Sequence, residues 1–448
     1  MTVTDSEIEL KRFLEDLEEK QVDIVRVMWS DLHGVARGKD IALEDFGRDG
    51  IAFCQTLLHT DLAAHPRASS DPAEIGYPDT RAVADLSTAR VTPFSSGVAV
   101  VLADLEDPLT GRPLPESPRD LLRRVVGDLI AEVGHPVVGP ELEFYLAHRD
   151  NVGALRPYVN RDTAGYVVGA ANDDLASRDV LLGLLRQCRA MGLGVFAANH
   201  EFSGGQFEVN HHHSDALDAA DRAFLFKYAV KEIAAVVGLH ATFMGQPFND
   251  KAGNGFHLHV SLVDELGVNL FDEPAAEHGL SELALHFLGG VLEHAPALTA
   301  LLNPTVNSFR RLHQGGLVAS IANWGLDNRF AFARVPRDRG RGTRFEVRSG
   351  DGAANPYLAV AALLAAGHDG VRRSLTPPPP AEGRHPGQGA VLPRNLEEAL
   401  DHLTADAPLV TALGETFVDA FTGLKRQELA RYERHVSDWD IREYSWML

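Results

Sequence analysis

An α+β fold in two unequal parts is what the chain predicts, on three observations. Helix-period and short strand-period runs alternate along it, a turn-rich stretch (EDPLTGRPLPESPR) interrupts the pattern, and several otherwise apolar strands carry charge on one face. Its 448 residues, 45% hydrophobic and 23% charged, allow a large core in a soluble globular chain. The turn-rich stretch places the boundary between a small part, residues 1–107, and a larger one, residues 108–448.

The small part opens with one helix pattern, EIELKRFLEDLEEKQ, followed by strand-like VDIVRVMWS and SGVAVVLADL and the loop HPRASSDPAEIGYPDT. Ser117 and Pro118 stand as N-cap and first-turn residues of the next helix. Beyond them, helical SPRDLLRRVVGDLIAEVG, SDALDAADRAFLFKYAVKEIAAVVG and NPYLAVAALLAAGHDG alternate with short strands. The proline-stiffened LTPPPPAEGRHPGQG reads as a surface loop. No apolar run reaches the roughly 20 residues of a membrane span, and MTVTDSEIEL has no signal-peptide pattern, so a cytoplasmic protein without membrane contact is expected. Cys54 and Cys188 fit neither a disulfide framework nor a CxxC metal site. A net charge of −21 argues against nucleic-acid partners, which require phosphate-neutralising Lys and Arg.

Side chains alternate along a strand, so GPELEFYLA aims Glu141 and Glu143 to one side and Leu142, Phe144 and Leu146 to the other. NGFHLHVSL aligns His257, His259 and Ser261; TRFEVRSG aligns Arg344, Glu346 and Arg348; GQFEVN aligns Gln206, Glu208 and Asn210. One such strand is an ordinary half-solvated antiparallel strand. Four that share carboxylates (with Glu201 of NHEFSGG), histidines and arginines point to one site.

Gathered carboxylates must protonate, pair with cations or bind metal. Oxygen ligands with imidazole, and no thiolate, suit Mg²⁺ or Mn²⁺, and six candidate groups (Glu141, Glu143, Glu201, Glu208, His257 and Glu346) are enough for two or more ions. Nine arginines fall between Arg310 and Arg348, a concentration suited to phosphate or carboxylate. Of these, Arg337 and Arg339 in PRDRGRG read as surface residues paired with nearby acids. Carboxylates, metals and arginines together describe phosphoryl transfer, while the absence of GxxxxGK[ST] and of an HRD and DFG set excludes P-loop enzymes and protein kinases.

The ordered set GPELEFYL, HEFSGGQFEV, GNGFHLHVSL, NSFRRL, NRFAFARVP and RFEVRSGDGAANPYLA resembles the glutamine synthetase family over nearly the whole chain. The resemblance implies an N-terminal β-grasp domain and a catalytic domain with a curved antiparallel sheet surrounded by helices. It also implies stacked homo-oligomeric rings, a dodecamer, with active sites between neighbouring subunits. By the same analogy Glu143, Glu201 and Glu208 hold one metal, and Glu141, His257 and Glu346 the second. Gly253, Arg311 and Arg348 would hold glutamate, Arg329 the phosphate in flight, and His259, Ser261, Arg334 and Arg344 the ATP. Family chemistry phosphorylates the γ-carboxylate of glutamate, and an amine nitrogen then displaces the phosphate.

Two acids of the ammonia-using members are missing. Cys54 of FCQTLL stands at the place of the aspartate in a DGSS motif, and Leu317 of RRLHQGGLVAS at that of the flap glutamate. An ammonium ion needs anionic partners, whereas an alkyl amine finds apolar surface here. The sequence therefore reads as a γ-glutamyl amide ligase for an organic primary amine, a polyamine or ethanolamine, akin to the γ-glutamylpolyamine and γ-glutamylethanolamide branch. In an ordinary glutamine synthetase, Asp49 or Asp61 would substitute for the missing pair. A catalytically silent sensor or structural ring is disfavoured because all six ligands are present. Ala252 replaces an asparagine that commonly contacts glutamate, and the absence of tyrosine between Gly367 and Ala430 removes the adenylylation site. His211, His212 and His213 read as an exposed or rim turn before a helix, and His33 as a loop or packing residue.

Overall fold

Apolar residues at helical spacing form α1 (Asp5–Glu19), which lies on a five-stranded sheet of β1 (Ile24–Ser30), β2 (Ala36–Ala42), β3 (Ile51–Cys54), β4 (Asp79–Val91) and β5 (Val98–Glu106). The strand order is β2-β1-β5-β4-β3, with β1 and β5 parallel at its centre and the other pairs antiparallel. Val25, Val27, Trp29, Val101 and Leu105 pack beneath α1 into a core separate from the main one. The structure, a computed structural model, describes residues 5–67, 76–158, 168, 175–315 and 317–448. Residues 68–75 of the expected loop lie outside these.

The chain enters its larger part through α2 (Pro118–Glu132). Ser117 is the N-cap residue, but its hydroxyl donates to Asp120 at 2.8 Å and takes no backbone N–H. There follow β6 (His135–Arg149), β7 (Leu155–Pro157), α3 (Leu175–Ala190), β8 (Val195–His200), β9 (Gln206–His211), β10 (Ser214–Asp215), α4 (Ala216–Val236), β11 (His240–Thr242) and β12 (Phe256–Val263). After α5 (Glu282–Glu293), α6 (Ala295–Leu302) and α7 (Val306–Leu312) come the short strands β13 (Trp324–Leu326), β14 (Ala333–Val335) and β15 (Phe345–Val347). The fold closes with α8 (Pro356–Arg373), α9 (Leu396–Ala405), α10 (Ala407–Leu413), α11 (Glu415–Glu433) and α12 (Asp438–Tyr444).

The larger sheet runs β13-β14-β15-β12-β6-β9-β8, with β7, β10 and β11 added along the long β6. It is antiparallel except at its edge, where β13 and β14 are parallel. One face carries Leu142, Phe144, Phe207, Val209, Leu258 and Val260 into a core shared with α4 and α8. LTPPPPAEGRHPGQG forms the expected surface loop, held by the Trp324 Nε1–H bond to the Pro378 carbonyl at 2.6 Å. Among the described residues no single helix is long and apolar enough to cross a membrane; the apolar pair α5–α6, bent by 71°, is buried in the core.

At that bend His294, 2% exposed, lies between Asp406 (Nδ1 to Oδ2, 2.7 Å) and Asp369 (Nε2 to Oδ2, 2.8 Å), tying α5–α6 to α8 and α10. Burial opposes its protonation, but the two carboxylates win and raise its pKa. A raised folded pKa gives stability that is fully present below the unfolded value and lost as pH rises through the folded one. His294→Gln is therefore expected to destabilise the fold by about 2 kcal/mol near pH 6, and by less near pH 9, as read by denaturant midpoints at each pH. A pH-independent deficit would contradict the charged pairing.

Candidate active site

Strand register brings the charged faces together. Across β12 and β6 His257 faces Glu141, across β6 and β9 Glu143 faces Glu208, and across β12 and β15 His259 faces Glu346. Adjacent partners in antiparallel strands point the same way, so these side chains form one patch on the face opposite the phenylalanine core.

Within the patch His257 Nδ1 is 3.5 Å from Glu141 Oε2 and 3.8 Å from Glu346 Oε1, and its Nε2 is 3.8 Å from Glu143 Oε1. His259 Nε2 approaches Glu141 Oε1 at 3.1 Å. Two triads offer ligand atoms within 4.8 Å of one another: Glu141, Glu208 and His257, and Glu141, His259 and Glu346. The grouping differs from the one the resemblance implies. His259, expected toward ATP, joins a carboxylate triad. Glu143 accepts the Gly255 N–H at 2.6 Å through one oxygen, and Glu201 accepts from Asn199 at 3.0 Å through one of its own.

The electrostatics of the acids fit hard divalent cations. Burial, then Glu143, pushes Glu201 up to about 7; burial, then Glu141, Glu143 and Glu201, pushes Glu208 up to about 8. Glu141 is different, since burial is outweighed by His257 and His259, which hold it below the usual carboxylate range. Carboxylate oxygens with imidazole are a donor set that suits Mg²⁺ or Mn²⁺, and two such sets could hold one here: Glu141, Glu208 and His257, or Glu141, His259 and Glu346. Carboxyls with raised folded pKa values favour the fold when protonated and lose that contribution as pH rises through those values. Adding Mn²⁺ near pH 7 should therefore release about one proton per chain, and raise the melting temperature more near pH 8 than near pH 6. Calorimetry in two buffers of different ionisation enthalpy measures the proton count; no release would refute the assignment.

Of the arginines, Arg311 is buried and donates to the Ser349 carbonyl at 3.1 Å, burial lowering its pKa. Gly253 passes directly over it: a Cβ there would lie 2.7 Å from Arg311 Cγ and 2.5 Å from the Gly245 carbonyl oxygen, so only glycine fits. Arg348 and Arg334 both pair with Glu346, Arg334 at 2.6 Å, and Arg334 also reaches Asp327 at 2.7 Å. Arg329 is exposed on the turn between β13 and β14. Arg337 pairs with Asp327 at 2.7 Å as expected, whereas Arg339 binds the His278, Pro336 and Asp338 carbonyls rather than an acid.

Arg344 donates to His259 at 3.1 Å and, with Ser261 and Glu141, lines a cavity of about 450 Å³. The three histidines also line it, but not as one turn. His211 ends β9, buried edge-on against Phe226, while exposed His212 stacks on Phe196 with ring centroids 4.7 Å apart. Phe196 was missed by sequence reasoning; a phenylalanine at an outward strand position of VFAANH was its only signal.

Cys54 ends β3 half-buried, its Sγ 3.2 Å from Thr56 Oγ1, and Leu317 is half-buried in its loop. Asp61, a candidate replacement acid, is buried and engaged by the Ala63 and His65 N–H groups, Gln427 and Arg431. His33 belongs elsewhere, between the Thr60 carbonyl and Lys425.

A largely antiparallel sheet that gathers acids, imidazoles and arginines beside an open cavity belongs to the class of folds whose carboxylates could hold a divalent metal. Residues 115–444 match the family described as glutamine synthetase, catalytic domain. A glutamine synthetase of Halobacterium salinarum is 35% identical over 459 residues, covering 99% of this chain and 97% of that protein. The glutamate–methylamine ligase of Methyloversatilis universalis is also 35% identical, with 96% and 97% covered. A solved structure of apo GmaS without ligand aligns at a TM-score of 0.86 and 34% identity, covering 96% of this chain and 99% of that one. The chain belongs to the glutamine synthetase family, whose members use ATP and divalent metals.

Proposed function

We propose that this protein is an ATP-dependent γ-glutamyl amide ligase that couples glutamate to an organic primary amine. The reading rests on the sequence, in which Cys54 and Leu317 stand where ammonia-using members carry acids, and Asp61, one of the two candidate replacements, is engaged by Arg431 and backbone N–H groups. Similarity to a glutamate–methylamine ligase over 96% of the chain supports it.

In this reading Arg311, with Arg348, orients the glutamate carboxylate, and Gly253 lets the backbone close over it. Arg344 and Ser261 face the nucleotide, with the Phe196–His212 stack offering a flat surface to its base. Exposed Arg329 is free to meet the phosphate as it transfers. Bound Mg²⁺ or Mn²⁺ supplies the positive charge that ATP phosphates require. A carboxylate oxygen becomes a leaving group once phosphorylated, and the amine nitrogen then displaces phosphate. We take residues 1–107 and 108–448 as the two domains, assembled into rings that place the small domain of one subunit at the site of the next.

Incubation with glutamate, ATP, Mg²⁺ and a panel of methylamine, ethanolamine, polyamines and ammonium tests the reading. Phosphate release is expected to be at least about tenfold faster with one of the organic amines than with ammonium. Cys54→Asp together with Leu317→Glu should shift that ratio toward ammonium. Ammonium as the best acceptor would instead make the protein an ordinary glutamine synthetase.

A further inference from the structure

Away from the carboxylate patch, a second cavity of about 790 Å³ opens between α4, the loop after β11, the start of α7 and α11. In a chain of net charge −21, its wall carries Lys227, Lys231, Arg310, Lys425 and Arg431 against a single carboxylate, Glu428. Two of these cations are answered: Lys425 Nζ lies 3.1 Å from Glu428 Oε2, and Arg431 Nε 3.1 Å from Asp61 Oδ2.

The other three have no carboxylate partner among the described residues. Lys227 is only 6% exposed and donates once, to the Ala354 carbonyl at 2.9 Å, so two of its ammonium hydrogens lack an acceptor there. Arg310 donates to the Tyr432 hydroxyl at 3.1 Å, and Lys231 stands over the Phe243 ring, 6.0 Å from its centroid. Lys227 Nζ also stands 5.7 Å from the Phe243 centroid and in the field of Asp351, so its buried ammonium is only partly compensated within the protein, and a further anion would favour it. Phe243, Met244 and Val306 add apolar wall to the same space.

We propose that this cavity binds a small organic polyanion, one carrying at least two negative charges on an apolar body, with Lys227, Lys231 and Arg310 as its cationic contacts. The site lies beyond the assigned ligands yet close to them in effect. Asp351, buried just before the Gly352 and Ala353 wall residues, feels the charge of both Lys227 and Arg311, so neutralising Lys227 alters the field at the proposed glutamate clamp.

Titration calorimetry needs no turnover and so stands apart from the ligase reading. The probes are phenyl phosphate and phthalate, dianions on an aromatic ring, and inorganic pyrophosphate, which lacks the ring. Expected is binding of one aromatic dianion per chain, tighter than pyrophosphate and retained when ADP and Mg²⁺ saturate the nucleotide side. Lys231→Gln and Arg310→Gln, both at exposed positions, should each weaken it about tenfold, and Lys227→Met should abolish it. A preference for phenyl phosphate assigns a phosphate ester as the natural class, and one for phthalate a carboxylate. Failure of both dianions to bind at low salt, complete displacement by ADP, or unchanged affinity in both exposed variants would overturn the proposal.

Discussion

Glu141→Gln is expected to abolish amine-dependent phosphate release, lowering kcat by about a thousandfold or more, equivalent to about 4 kcal/mol of transition-state stabilisation. Glu141 stands in both triads and within reach of both His257 and His259, so no other single change removes a ligand from each. The amide keeps the volume and one acceptor oxygen but loses the charge. Because relief of repulsion on Glu208 offsets the loss of charge beside His257 and His259, the metal-free variant should melt no more than about 2 °C below the parent. Loss of the Mn²⁺-induced rise in melting temperature would then separate a binding defect from misfolding. Glu232→Gln, at an exposed position of α4, serves as the control and should leave turnover unchanged. Retention of a tenth or more of the parent rate would show that Glu141 is peripheral to the chemistry.

What the sequence could tell about this site follows from the period of a strand. Alternation alone assigns Glu141, Glu143, His257, His259, Glu208 and Glu346 to polar faces, and the structure puts them on one patch. Register across strands is not written in any single strand, however. That Arg334 and Arg348 lean on Glu346, or that His259 reaches Glu141 at 3.1 Å, depends on pairings between residues up to 128 positions apart. The edge pair β13–β14 shows the same limit, since three-residue strands carry too few side chains to reveal direction. Burial of individual charges is equally hidden. Lys227 in SDALDAADRAFLFKYAV and Arg119 in SPRDLLRR look like solvent-facing helical residues, yet they are 6% and 4% exposed.

Arg119→Met should accordingly be among the most destabilising single changes in the chain. The Arg119 guanidinium bonds Asp221 on α4 through Nε (2.9 Å) and Nη2 (2.8 Å), Asp104 on β5 at 2.7 Å and Asp85 on β4 at 2.8 Å. Tyr357 on α8 closes the cluster with a 2.8 Å bond from its hydroxyl to Asp221. One guanidinium thus bridges three carboxylates where the five-stranded sheet meets the larger part of the chain. Methionine keeps most of the volume and none of the charge, leaving Asp85 and Asp221 without a cation, while Arg123 still reaches Asp104 at 2.8 Å. Breaking a buried ion network from one side costs about 3–5 kcal/mol, because the remaining charges stay desolvated. A fall in melting temperature of roughly 5–10 °C follows. Burial already raises the Asp221 pKa, and removing the guanidinium raises it further, so the variant's acids protonate more readily than the parent's. Its deficit should consequently be largest near neutral pH and narrow toward about pH 5. Hydrogen exchange should quicken first in β4 and β5 if the cluster fastens the small sheet to the rest. A uniform increase, or a melting temperature within about 1 °C of the parent, would mean that apolar contact alone holds the two parts together.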